Sequence, residues 1–151
     1  MVFHAALSGL FKHAHGVEYV ASRHALAAQV HASLATAAQS PKLVARLGGS
    51  HAVGHLAGAM GRVSLECGDA TAGPLHFSHV YMYDKVFNTA TSAALAKQLN
   101  ASRFRVLVTF RSAQSWAGLG LKHCCQVGTL VMRTTGGQNF RCYVLANTRK
   151  W

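Results

Sequence analysis

Acidic side chains are almost missing from this sequence. Of 151 residues, four are Asp or Glu, set against fifteen Lys and Arg, for a formal charge of +11. A balance so one-sided points to polyanionic partners: nucleic acid, chromatin or an acidic protein patch. It also makes the position of each acid, Glu18, Glu66, Asp69 and Asp84, informative. No run of four or more basic residues occurs, so the pattern contains no obvious nucleic-acid-binding arm. No apolar run reaches the roughly 18 residues of a membrane span, and no membrane partner is expected. The segment Met1–Lys12 has no basic stretch ahead of its apolar part, so it does not read as a secretory signal.

Cysteine is sparse and oddly spaced. Cys67, Cys124, Cys125 and Cys142 fit neither a disulfide framework nor a zinc ribbon, and adjacent Cys124 and Cys125 cannot easily ligate one tetrahedral metal. Buried free thiols in a reducing, intracellular compartment are the expectation. Ten histidines include His51 and His55 at helical spacing and His13 and His15 at strand spacing. Neither pair is completed by nearby ligands, and no metal site is expected. Phosphate-loop, Gly-x-Ser-x-Gly and zinc-finger patterns are all lacking.

What is present is a hydrophobic half of the chain, enough for one domain over residues 1–151 with its own core. Residues 3–12 read as a short helix weakened at Gly9, and 13–20 as a strand ending near Glu18. Ser22 is a candidate cap for a helix over 23–38, rich in Ala, Leu and Gln, that Ser40-Pro41 stops. Glycines at 48, 49, 54, 58 and 61 leave residues 42–61 as a loop or broken helical turns. Strands follow at 62–67 and 78–83, joined by the turn-rich Ala70–Leu75. A helix over 89–100 has Thr89 and Thr91 as capping candidates. Residues 104–110 are a strong strand, and 112–118 hold one helical turn. Two β-rich runs, 127–134 and 139–146, flank Thr135-Gly136-Gly137-Gln138, a tight-reversal signal. Alternating strands and helices imply an α/β fold whose sheet is mostly parallel, with the closing hairpin adding one antiparallel strand.

In such sheets ligands bind beyond the carboxyl ends of the strands. Three of the four acids fall at or just past a predicted strand end. A carboxylate after one strand can accept both hydroxyls of a ribose; Glu18 stands at such a position. An acid after the next can receive the exocyclic amine of an adenine while the following backbone N–H bonds a ring nitrogen. Asp69 and Ala70 suit that pair of tasks. Asp84 ends a further strand, where the reacting end of a ligand would sit. The simpler alternatives are a Glu18–Arg23 ion pair, an Asx turn at Asp69, a surface Asp84 beside Lys85, and a solvated or paired Glu66.

Gly16-Val17-Glu18-Tyr19 followed by Arg23–Ala27, the turn Gly68-Asp69-Ala70, the run Val80–Phe87 and the final hairpin resemble class I S-adenosylmethionine-dependent methyltransferases. Within that superfamily the chain is most similar to the non-SET, disruptor-of-telomeric-silencing type of histone lysine methyltransferase. The resemblance covers roughly residues 3–147. It implies a Rossmann-like sheet and S-adenosylmethionine as cofactor, held by Glu18, Asp69 and Ala70. Tyr83 and Asp84 would orient the methyl acceptor, and Phe87 would line its channel. It further implies a protein substrate, histone or chromatin, with nucleic acid as an additional partner through the basic charge, and a nuclear location compatible with both. The family carries a strand and a Gly-x-Gly loop before the residue matching Glu18. This sequence begins inside the helix that would follow them, so it reads as an N-terminally truncated copy. Where the subfamily has an amide side chain, this sequence has Tyr83-Asp84. The alternative is a catalytically inactive module of the same fold that binds nucleic acid or a larger assembly through its basic surface.

Overall fold

The computed structural model describes residues 1–40, 42, 46, 50–133 and 137–149. The chain forms two compact units, Met1–Asp69 and Ala70–Trp151. Both mix helices with strands, so the architecture is α/β. No helix among the described residues is long and apolar enough to cross a membrane.

The first unit contains α1 (Val2–Leu7), β1 (Ala14–Glu18), α2 (Ala21–Ala37), α3 (Ser50–Met60) and β2 (Val63–Cys67). β1 and β2 pair in parallel, from Ala14 opposite Val63 to Glu18 opposite Cys67. Parallel neighbours need a long crossover, and the connection that carries α2 and α3 supplies it. The core is built from small residues: Ala6, Ala14 and Ala59 with Met60 and Val63. Small side chains permit close approach. A Cβ on Gly16 would stand 3.2 Å from Leu65 and 3.3 Å from Val2. Arg62 Nη2 donates to the Ala6 carbonyl at 3.0 Å and His55 Nε2 to that of Leu7 at 2.8 Å, which fastens the end of α1. Gly9, in the left-handed region at φ 71°, stops α1 earlier than residue 12.

Two local expectations change here. Ser22 lies inside α2, whose N-cap is the extended Val20 without a side-chain cap. The Glu18 carboxylate takes the Val20 N–H at 2.9 Å, so the strand's last side chain settles the backbone that enters the helix. Residues 50–60 form a continuous helix through Gly54 and Gly58. Burial of Ala59 and Met60 outweighs the propensity penalty, which is about 1 kcal/mol per glycine. Pro41, Gly48 and Gly49 lie outside the described residues.

The second unit contains β3 (His79–Tyr81), a 3-10 turn (Asp84–Val86), α4 (Thr89–Ala101), β4 (Val106–Thr109), α5 (Ala113–Gly118), β5 (Cys124–Arg133) and β6 (Asn139–Asn147). Its strand order is β3-β4-β6-β5. β3 and β4 are parallel, and β6 is antiparallel to both β4 and β5. β5 therefore runs with β3 and β4, and the hairpin contributes one antiparallel strand; the strands, however, form two sheets, β1-β2 and β3-β4-β6-β5, where the sequence pattern implies one. Gly137 has φ 76°, while residues 135 and 136 of the reversal lie outside the described residues.

α4 is capped by Asn88, whose side-chain oxygen accepts the Thr91 N–H at 2.8 Å. Thr89 and Thr91 sit within the first turn instead, because Asn88 holds the extended conformation an N-cap needs. β3 ends at Tyr81, short of residue 83, as Tyr83 turns the chain into the 3-10 segment. The core packs Leu95, Leu99, Phe104, Leu107, Trp116 and Leu145 at 2 % exposure or less, and each such side chain contributes about 1.5–3 kcal/mol. All four cysteines are free thiols. Cys142 is buried and Cys124 half-buried, but Cys67 and Cys125 are exposed, so burial as a class does not hold.

Candidate functional site

In the first unit the two acids assigned to adenosine stand at one end of one parallel pair. Glu18 closes β1, and Asp69 follows the end of β2 by two residues. The Gly68 N–H donates to the Glu18 carbonyl at 3.1 Å, which ties the turn bearing Asp69 to the end of β1. Among the described residues no ion pair joins Glu18 to Arg23. One Glu18 oxygen is committed to Val20. A carboxylate offers about four lone-pair positions, so ribose hydroxyls can still be accepted.

Glu66 is paired. Its Oε2 lies 3.2 Å from His15 Nε2, and His15 Nδ1 lies 2.7 Å from Ser64 Oγ. When the ring is neutral, the carboxylate fixes the proton on Nε2, and Nδ1 accepts from the Ser64 hydroxyl. His15 is thus engaged by β2, and among the described residues no group of three His, Cys, Asp or Glu could hold a metal.

In the second unit Asp84 is fully buried. Its Oδ2 accepts the Thr109 hydroxyl at 2.6 Å and its Oδ1 the Phe110 N–H at 2.7 Å. Arg111 Nε stands 3.5 Å from Oδ2, and Arg111 Nη2 donates to the Phe87 carbonyl at 2.7 Å. Thr109 Oγ1 also accepts from Trp116 Nε1 at 2.9 Å. One carboxylate thereby fastens the 3-10 turn after β3 to the end of β4. What Asp84 sets is the position of Phe110 and Arg111. Tyr83, 42 % exposed, is the member of the pair that a ligand can touch. Ala70 and Phe87 are half-buried against the core.

Around Tyr83 lies an aromatic group that residue spacing alone does not announce. Phe110 meets Tyr83 edge to face at 5.1 Å, and Tyr81 and Phe140 at 6.3 Å each. Lys85 Nζ rests 4.4 Å from the Phe140 ring centre, a cation–π contact. Burial raises the Tyr81 hydroxyl above its ordinary pKa, and the nearby acidic groups of Cys142, Tyr83 and Asp84 further disfavour a negative charge there. Burial and then Asp84 raise the Cys142 thiol likewise. Phe110, Phe140, Thr109 and Trp116 escaped the sequence reading because they belong to three other elements. The signal available was that Phe110 ends a strong predicted strand and Arg111 directly follows it.

A shallow groove of about 490 Å³ runs along α2 beside Leu26, Val30 and Leu34, and holds none of these groups. No protein-family model and no curated protein matches the chain.

Proposed function

We propose that the chain is a class I S-adenosylmethionine-dependent methyltransferase-fold protein, of the type that methylates lysine in histones or other chromatin proteins. The observation that carries this reading is the placement of Glu18 and Asp69 at the shared carboxyl end of a parallel strand pair, in a chain with only four acids. Drift in so basic a sequence gives no reason to keep two of them there. The single antiparallel strand within the second sheet supports it further.

Bound S-adenosylmethionine would supply a methyl group on a sulfonium. Glu18 would hold its ribose hydroxyls, and Asp69 with the Ala70 N–H would hold its adenine. Within the second unit, taken by itself, the exposed Tyr83 beside Phe110 is the residue assigned to a methyl acceptor. Asp84 is a positioning residue, acting through its bonds to Thr109 and Phe110. Such a site works by orientation and electrostatics rather than by a covalent protein intermediate.

Titration calorimetry of the chain with S-adenosylmethionine and S-adenosylhomocysteine tests the reading. Saturable heat with one site is the expected result. Lack of binding by both compounds would overturn it.

A second reading is favoured by a separate observation. The one acid of the second unit, Asp84, is buried. Residues 70–151 therefore present lysines and arginines at the surface with no exposed Asp or Glu of their own. On this reading the chain is a non-catalytic module that holds nucleic acid.

A further inference from the structure

The basic residues of the second unit are not spread evenly over it. Arg103 and Arg105 precede β4, Lys122 and His123 precede β5, and Arg149 follows β6. β3, β4 and β5 run in one direction and β6 in the other. All five residues therefore stand at one end of the sheet, where the parallel strands begin. This is the end opposite Tyr83 and Asp84.

Hydrogen bonds draw these segments together. The Arg105 N–H donates to the Ser78 carbonyl at 2.7 Å, and the Asn147 N–H to the Arg105 carbonyl at 2.9 Å. The Thr148 N–H reaches the His123 carbonyl at 2.7 Å. Asn100 is the shared fixing point. Its Oδ1 accepts the Lys122 N–H at 2.8 Å and its carbonyl accepts Arg149 Nη1 at 2.6 Å. Arg103, Arg105, Lys122 and His123 are exposed, and Arg149 is half-buried. The Arg149 charge is felt locally, since it works against the burial that raises the Cys124 thiol.

Arg105 and Lys122 bring exposed like charges to the same end, which is unfavourable for the folded chain by itself. His123 adds a second irregularity: its φ of 58° lies in the left-handed region, at a non-glycine residue. Conformations of that kind cluster where a chain holds a functional geometry. Here the left-handed residue turns the backbone into β5 directly after Lys122.

We infer that this end of the sheet, formed by Arg103, Arg105, Lys122, His123 and Arg149, is a binding surface for the phosphate backbone of double-stranded nucleic acid. The three adjacent strand ends that carry these residues, those of β4, β6 and β5, span about 10 Å at roughly 4.8 Å per strand. A single phosphate or carboxylate cannot meet cations over such a width. A duplex can, because it carries one negative charge per roughly 1.7 Å of its axis. Arginine and lysine at strand ends match phosphate contacts, which position a protein without reading bases. The surface takes only its polyanion from the second reading above, and it is compatible with cofactor binding elsewhere.

The test is binding of the full chain to a mixed-sequence DNA duplex over a series of salt concentrations. The double variant Arg105→Gln/Lys122→Gln removes two cations of this surface. Arg133→Gln/Arg141→Gln removes two exposed cations toward the other end of the same sheet. The wild-type logarithmic affinity should fall steeply with logarithmic salt. The first variant should lower that slope by about two, and the second should leave it near wild type. Circular dichroism confirms folding, and Lys122→Gln alone, with an expected slope loss of about one, serves if the double variant is unstable. Equal slope losses in both variants would overturn the assignment of the surface while nucleic-acid binding survived. No duplex binding by the wild-type chain would overturn surface and second reading together. Salt-dependent binding to polyglutamate but not to DNA would replace nucleic acid with an acidic protein partner and so overturn the proposal.

Discussion

Thr109 donates its hydroxyl to Asp84 Oδ2 across 2.6 Å, with both side chains closed to solvent. A buried carboxylate is tolerable only when its lone pairs are taken and its charge is met. Asp84 satisfies both demands through Thr109, Phe110 and Arg111. Asp84→Ala leaves the Arg111 charge without its carboxylate and two buried donors without acceptors. It should lower stability by about 3–5 kcal/mol, the range for breaking one side of a buried ion pair. Asp84→Asn keeps an acceptor for Phe110 and should lose less. Urea unfolding of the three proteins measures the difference. Equal midpoints would show that the network adds nothing to stability.

The cofactor reading makes a residue-specific claim. Glu18→Ala removes the acceptor assigned to the ribose, and Asp69→Asn exchanges half of a carboxylate for an amide. Hydrogen bonds to charged groups are worth about 1.5–3 kcal/mol each, so Glu18→Ala should weaken S-adenosylhomocysteine by about tenfold or more. Glu66→Ala is the control, since Glu66 is engaged by His15. Calorimetry should find its affinity within about twofold of wild type. Equal losses at Glu18 and Glu66 would mean that general charge, rather than position, governs binding.

The alternation of strands and helices and the closing hairpin were legible in the sequence because period and turn chemistry are local. Glu18 falls at the end of β1 as its strand pattern implies. The environment of Asp84 was not legible. Nothing near Tyr83-Asp84 signals that Thr109 and Phe110 will take its oxygens, for those partners lie 25 and 26 residues away. The caps failed for a related reason. Ser22 and Thr89 are good caps by type, but Val20 and Asn88 are where the backbone is extended. The helix over 50–60 was hidden by its glycines and is recovered through burial of Ala59 and Met60, a tertiary effect.

Cysteine chemistry should separate by position and pH. Burial, with neighbouring Cys125, raises the Cys124 thiol from 9.0 to about 11. Its folded state favours the protonated thiol, so this stabilisation is complete below pH 9 and is lost as pH rises from 9 toward about 11. Cys142 and Tyr81 are raised in the same direction and reinforce the trend. Thermal melts between pH 8 and 11 should fall more steeply for wild type than for Cys124→Ala. In alkylation at pH 8, exposed Cys67 and Cys125 should react first and Cys142 last. Early modification of Cys142 would contradict its burial.

β5 is the edge of its sheet among the described residues, and it presents Val127, Leu130 and Val131 to solvent at 61, 54 and 72 % exposure. An apolar stretch along an edge strand is a template for pairing with further chains. Charge placed there should suppress concentration-dependent association, and the sign of that charge should matter for stability. Val131 lies directly opposite Arg141 on β6. Val131→Glu sets an acid against that arginine, whereas Val131→Lys sets like charges face to face. Cross-strand pairs of this kind are worth about 0.2–1 kcal/mol either way. Both variants should therefore scatter less light than wild type at high concentration, while only Val131→Lys is clearly destabilised in urea. Equal stability of the two would show that the register of β5 against β6 does not bring residues 131 and 141 together.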